Sequence, residues 1–180
     1  MSRPVLIVVS GPPGAGKTTL AHALAREIGC PAICRDEIKE GMAATTPGFE
    51  TGPGDDLSLR TLAVFFEVLE VLLRSGVTVV AEAAFQDRLW RPGLERLAPL
   101  ADIRIVHCRA RAEVGEERRK RRAAENPRHR RVHGEAPAGL VHAFQPVTID
   151  APALEVNTDD GYVPPLEAIA RFALGGSAGS

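Results

Sequence analysis

The run GPPGAGKT, Gly11 to Thr18, has the spacing G-x-x-x-x-G-K-[ST]. Its chemistry is phosphate binding. Gly11, Gly14 and Gly16 let backbone N–H groups turn inward with no Cβ in the way, and Pro12, Pro13 and Ala15 complete the loop. Lys17 brings a point charge to the β- and γ-phosphates, and Thr18 offers a hydroxyl to Mg²⁺. Thr19 follows in a helix whose N-terminal dipole adds positive potential. The flanks support the motif, with the strand-like run VLIVVS before it and a helical pattern after it. These residues imply a nucleoside triphosphate and Mg²⁺, and leave the reaction open.

A switch GTPase would add Asp-x-x-Gly and Asn-Lys-x-Asp; neither occurs, and NTDD at Asn157–Asp160 has no lysine. A motor or AAA-type ATPase needs more chain. The remaining common class is the small P-loop kinase, which needs a carboxylate beside the acceptor hydroxyl to take its proton and aim it in line. Asp36 in CRDEIK suits that role, at the carboxyl end of a short strand where open α/β sheets place ligand chemistry. It could also cap the helix that follows. Arg35 and Lys39 flank it and could hold an anionic or hydroxyl-rich acceptor. Glu82 ends the strand VTVVAE and is expected to reach Mg²⁺ directly or through water, the alternative being a solvated glutamate. Phe85 and Gln86 are expected to line the acceptor pocket.

The block RARAEVGEERRKRRAAENPRHRRVHG is strongly basic. On a helix Arg118 and Arg122 fall four apart on one face, where a pair could close over the transferring phosphoryl group. The block therefore reads as a lid. A solvated run salted by Glu113, Glu116 and Glu117, or a nucleic-acid-binding strip, is the other reading. His129, His133 and His142 fit no common metal-ligand spacing.

Strands and helices must alternate to place these groups. Strands are expected at Val5–Ser10, in PAICRD, in VTVVAE, in DIRIVHC and in ALEVNT. Helices are expected in TTLAHALAREIG with Gly29 as stop, in LSLRTLAVFFEVLEVLLRSG, through RLWRPGLERLAPL with Asp87 as its cap and Pro92 in the first turn or breaking it, over 112–125, and in PPLEAIARFAL. EIKEGMAATTPGFETGPGDD reads as a broken helix and a mobile loop, and a polar loop should run through Gly139. This is an α/β pattern with a mostly parallel sheet, one domain over 1–174 with a lid near 109–140, and a flexible tail at 175–180.

Composition agrees with one core. The 180 residues are 44% hydrophobic and 25% charged, ordinary for a globular protein. A net charge of -1 excludes a polyanion binder by overall charge, and 4% aromatics leave few platforms for stacking bases. Three cysteines without a C-x-x-C pair argue against a disulfide framework or zinc ribbon. No apolar run approaches the ~20 residues of a membrane helix, and no signal-peptide pattern opens the sequence, so a cytoplasmic location is expected.

GPPGAGKTTLAHAL, RDEIK, the strand ending VVAE, the arginine-rich lid and APALEVNT together resemble the AAA-type P-loop kinases related to the phage-type polynucleotide kinase domain. Chloramphenicol phosphotransferase and zeta toxins are more distant relatives. The resemblance spans nearly the whole chain. It implies a P-loop fold with a five-stranded parallel sheet ordered 2-3-1-4-5. It also implies Lys17 and Thr18 on the phosphates and Mg²⁺, Asp36 as base, Arg118 and Arg122 as lid arginines, and Thr158 near the adenine. The polynucleotide kinases read closer to RDDYR, with arginine where this chain has Lys39, and an Asp more often stands at the place of Glu82. The expectation is an ATP- and Mg²⁺-dependent kinase acting on a small-molecule hydroxyl, such as a nucleoside, sugar or antibiotic. A nucleic-acid 5′-hydroxyl is the alternative acceptor, and a nucleotide-binding regulatory or toxin-like module is the alternative of another class.

Overall fold

The computed structural model describes residues 3–46, 48–49, 56–126, 132–133 and 144–176. β1 (Val5–Ser10) leads through the glycine-rich loop into α1 (Lys17–Ile28), then β2 (Ala32–Cys34) and α2 (Arg35–Ala44). α3 (Asp56–Arg74), β3 (Val79–Glu82), α4 (Asp87–Leu97) and β4 (Asp102–Arg109) follow. α5 (Ala112–Glu125), β5 (Ala153–Asn157) and α6 (Leu166–Ala173) close the order.

The strands form a five-stranded sheet in the order β2-β3-β1-β4-β5, parallel at every pairing. β1 lies at its centre because both of its faces are apolar. Leu6 and Val8 pack with Phe65, Leu69, Trp90 and Leu94 of α3 and α4 on one side. Ile7 and Val9 pack with Leu20, Leu24, Ile169 and Phe172 of α1 and α6 on the other. Strand periodicity sends alternate residues to opposite faces, so a run apolar at every position must be covered twice.

Several boundaries follow local chemistry. Gly29 ends α1 in a left-handed conformation, its N–H returning to the Ala25 carbonyl. β3 starts only at Val79, because Val77 still donates to Leu72 at the end of α3. α2 runs unbroken from Arg35 to Ala44 rather than as a broken helix, and most of the loop expected after it lies outside the described residues. Pro92 sits inside α4 without ending it. Gln86, not Asp87, is the N-cap of that helix. The Asp87 carboxylate instead accepts from Thr148 N at 2.7 Å and Thr148 Oγ1 at 2.8 Å, tying down the approach to β5. Most of the polar loop expected after α5, and the end of the tail, lie outside the described residues. Among the described residues no helix is long and apolar enough to cross a membrane.

Candidate active site

The strand ends converge on the loop between β1 and α1. Ala15 N donates to the Pro12 carbonyl at 3.2 Å, closing the turn, and Lys17 Nζ donates to the same carbonyl at 3.1 Å. Gly14 has φ +83, and a Cβ there would meet the Gly115 carbonyl oxygen at 2.3 Å. The first turn of α5 therefore rests directly on the phosphate loop, an approach only a glycine backbone permits.

Thr18 stands in the first turn of α1, and its hydroxyl donates to Glu82 Oε2 at 3.1 Å. Glu82 is only 3% exposed. Burial pushes its carboxyl up and Asp36 adds to that, against the pull of Lys17, Thr18 and Arg122; the net direction is upward. Asp36, Lys17, Thr18 and Arg122 thus all act on Glu82. Hard oxygens on Thr18 and Glu82 are the donor type that suits Mg²⁺.

Asp36 lies in the first turn of α2, directly after β2, and makes no cap to that helix. Burial pushes its carboxyl up, but the charges of His133, Arg35 and Lys17 and the Arg35 hydrogen bond outweigh it, so the group lies below the usual aspartate value. Arg35 Nη1 donates to Asp36 Oδ1 at 3.0 Å and Arg35 Nη2 to the Ser58 carbonyl at 3.4 Å. His133 Nδ1 stands 3.9 Å from Asp36 and its Nε2 3.4 Å from Glu40. Val132 beside it packs with Ala43 and Leu57.

On the other side of the loop, Arg118 donates to the Thr158 carbonyl at 2.6 Å and to the Asp159 carbonyl at 3.2 Å. Thr158 donates its hydroxyl to the Ala15 carbonyl at 2.9 Å. Together they bind α5, the end of β5 and the phosphate loop to one another. A cleft of about 530 Å³ opens there, lined among others by Gly16, Thr19, Arg118, Arg122, Thr158 and Tyr162.

Residues 6–147 match the AAA domain family. The chain belongs to that family. No curated protein matches its sequence. The fold of this AAA domain chain is similar to that of a protein provisionally named a kinase, from Chloroflexus aurantiacus J-10-fl. The TM-score is 0.84 and the identity 23%, over 96% of this chain and 98% of that one. It is also similar to the APS kinase CysC of Mycobacterium tuberculosis in complex with AMPPNP and APS, with TM-score 0.66, 18% identity and 97% of both chains covered. A sugar kinase from Janibacter sp. HTCC2649 gives TM-score 0.60 and 23% identity over 97% of this chain and 93% of that one.

The expected residues divide into groups. Lys17, Thr18, Asp36, Glu82 and Arg122 share one electrostatic cluster, and Arg118 and Thr158 border the cleft beside it. Phe85 does not face a pocket. It is fully buried, with ring centroids 4.9 Å from Trp90 and 6.0 Å from Phe65. An aromatic ring gains more in that cluster than at an open wall. Gln86 caps α4 and is bridged to Pro146. Lys39 is buried, with Nζ 5.8 Å from the centre of the Phe49 ring.

Sequence reasoning missed Tyr162, Gly115 and the placement of His133 near Asp36. Gly115 did carry a signal, a glycine inside a charged helical pattern. His133 carried none, since its contact with Asp36 is set by chain folding.

Proposed function

We propose that the protein is an ATP-dependent kinase that transfers the γ-phosphoryl group to a hydroxyl of a small molecule, such as a nucleoside, sugar or antibiotic. One observation carries this reading: Asp36 is held as a carboxylate, half-exposed, within electrostatic reach of the phosphate-loop Lys17. A carboxylate so placed serves a phosphoryl transfer that needs an acceptor hydroxyl deprotonated beside the donor.

Asp36 takes the proton of the acceptor hydroxyl as its oxygen attacks the γ-phosphorus. The bond from that phosphorus to the β–γ bridging oxygen breaks, and ADP leaves with the electron pair. Lys17 and Arg122, which both act on Glu82, would stabilise the charge that spreads over the equatorial oxygens, and Arg118 holds α5 at the cleft. Thr18 and Glu82 would hold Mg²⁺, which when bound neutralises phosphate charge. Arg35 is placed to keep Asp36 oriented.

Asp36→Asn should abolish transfer while ATP still binds; wild-type turnover in that variant would overturn the assignment. A panel of hydroxyl compounds, read by stimulated ADP release, identifies the acceptor class. A nucleic-acid 5′-hydroxyl is the second reading. It is favoured by α5, whose Arg119 and Arg121 line the cleft together with Arg118 and Arg122. Competition by oligonucleotides that weakens steeply with salt would select it.

A further inference from the structure

Beside the phosphate site lies a second group of side chains that phosphoryl transfer does not use. His22 projects from α1 one turn beyond Thr18, Cys34 ends β2, and Glu37 stands in the first turn of α2. One donor atom from each, an imidazole nitrogen, the sulfur and a carboxylate oxygen, lies within 4.8 Å of the other two. His22 Nε2 is 3.7 Å from Cys34 Sγ and 2.7 Å from Glu37 Oε1. We propose that His22, Cys34 and Glu37 form a binding site for a single borderline divalent transition metal of the zinc type.

The donor set selects the metal. Mg²⁺ and Ca²⁺ take oxygen ligands, whereas Zn²⁺ accepts thiolate, imidazole and carboxylate together. Tetrahedral zinc, with bonds of about 2.3 Å to sulfur and about 2.0 Å to nitrogen, sets those two ligands roughly 3.5 Å apart. The sulfur–nitrogen pair is therefore already spaced for a shared ion. The His22–Glu37 pair must open by roughly half an ångström. Glu37, with a side chain 54% exposed, has room to do so.

A His22–Glu37 ion pair alone accounts for the 2.7 Å contact, and the Cys34 thiol also bonds Glu82; what points to an ion is the gathering of three different donor atoms within 4.8 Å of one another. Burial foremost, then the charges of Glu82, Glu37 and Asp36, keeps the proton on the Cys34 sulfur in the absence of an ion, so the metal must displace it. Cys34 is buried while His22 and Glu37 are partly exposed, so an ion enters from solvent and keeps water in its fourth position. Binding forms a metal–sulfur bond and releases the thiol proton to solvent. The site abuts the phosphate machinery without sharing a proposed ligand with it: Cys34 pairs with Glu82 across β2 and β3.

Cobalt(II) titration of the whole protein, without nucleotide or magnesium, tests this through thiolate-to-cobalt charge-transfer absorption in the near ultraviolet. The expected result is a band that saturates at one equivalent of cobalt and is bleached by Zn²⁺. It should be lost in Cys34→Ser and kept in Cys30→Ser. His22→Ala and Glu37→Gln, at partly exposed positions where folding is not at stake, should weaken cobalt binding at least about tenfold. No band at one equivalent, a band that survives in Cys34→Ser, or His22→Ala and Glu37→Gln variants that bind like wild type would each overturn the proposal. The readout does not depend on phosphoryl transfer, so it stands or falls apart from the kinase reading.

Discussion

Thr18 and Glu82, 64 residues apart in the chain, meet through a 3.1 Å hydrogen bond from the threonine hydroxyl to the glutamate Oε2. A threonine of the phosphate loop and a carboxylate at the end of the neighbouring strand thus present hard oxygens to one point. Replacing Glu82 by Gln should cost roughly 10- to 100-fold in magnesium affinity or activity. Magnesium titration of turnover checks this.

The same residue should be a stability liability in the protein without ligand. Burial raises the Glu82 carboxyl above its ordinary value of 4.5. The native state then holds this proton more tightly than the unfolded chain, so its contribution is favourable below pH 4.5 and is lost as pH rises through the raised native value. Glu82→Gln should therefore melt at or above wild type near neutral pH, with the difference growing as pH rises from the acid side. Melting of both proteins across that range measures it.

Asp36 behaves in the opposite sense. Burial raises its carboxyl, but His133, Arg35 and Lys17 lower it further, to below 3.8. The acid limb of kcat/KM, which reports the base in the unliganded enzyme, should lie below that of an ordinary aspartate. Arg35→Ala removes one of these charges and the 3.0 Å hydrogen bond, and should move the limb upward. A pH–rate profile of the two proteins decides the matter.

Gly14 and Gly115 touch, yet they should respond differently to alanine. At Gly14 the new Cβ falls 2.3 Å from the Gly115 carbonyl oxygen, with φ at +83. A cost of about 1–3 kcal/mol and weakened nucleotide binding are expected. At Gly115 the nearest atom is the Pro13 carbonyl oxygen at 3.6 Å, an ordinary contact. Inside a helix that change should be neutral or stabilise by up to about 1 kcal/mol. Thermal melting and nucleotide titration of both variants give the comparison.

Asp87 joins the start of α4 to the segment before β5. The backbone bond from Thr148, then its hydroxyl, lowers the Asp87 carboxyl, with Arg91 adding to the shift against slight burial. The lowered native value means its stabilisation is present above the ordinary 3.8 and is lost as pH falls through the native value. Asp87→Ala should lower the melting temperature at neutral pH and have less effect in acid, as melting curves at the two conditions will show.

The phosphate loop was legible because its cradle consists of neighbours in the chain, Gly11 to Thr18, whose spacing is the geometry. The central strand was legible for a similar reason, since a run apolar at every position needs cover on both faces. Asp36 could be read because it closely follows a strand of a parallel sheet, and strand ends gather at one edge. Phe85 was misread, since the residues after Glu82 show how near they are to the loop and not which way they turn. The aromatic cluster of Phe65, Phe66 and Trp90 drew the ring into the core.

By itself, then, the sequence determined the phosphate-binding loop, the layered α/β order and the carboxylate at the end of β2, because each rests on short-range spacing and periodicity. Only the tertiary structure decided that His133 stands beside Asp36, that Gly115 rests on Gly14, and that His22, Cys34 and Glu37 bring three donor types together. Those contacts join distant segments or different elements, and their distances are set by how helices pack on a twisted sheet, which no local pattern encodes.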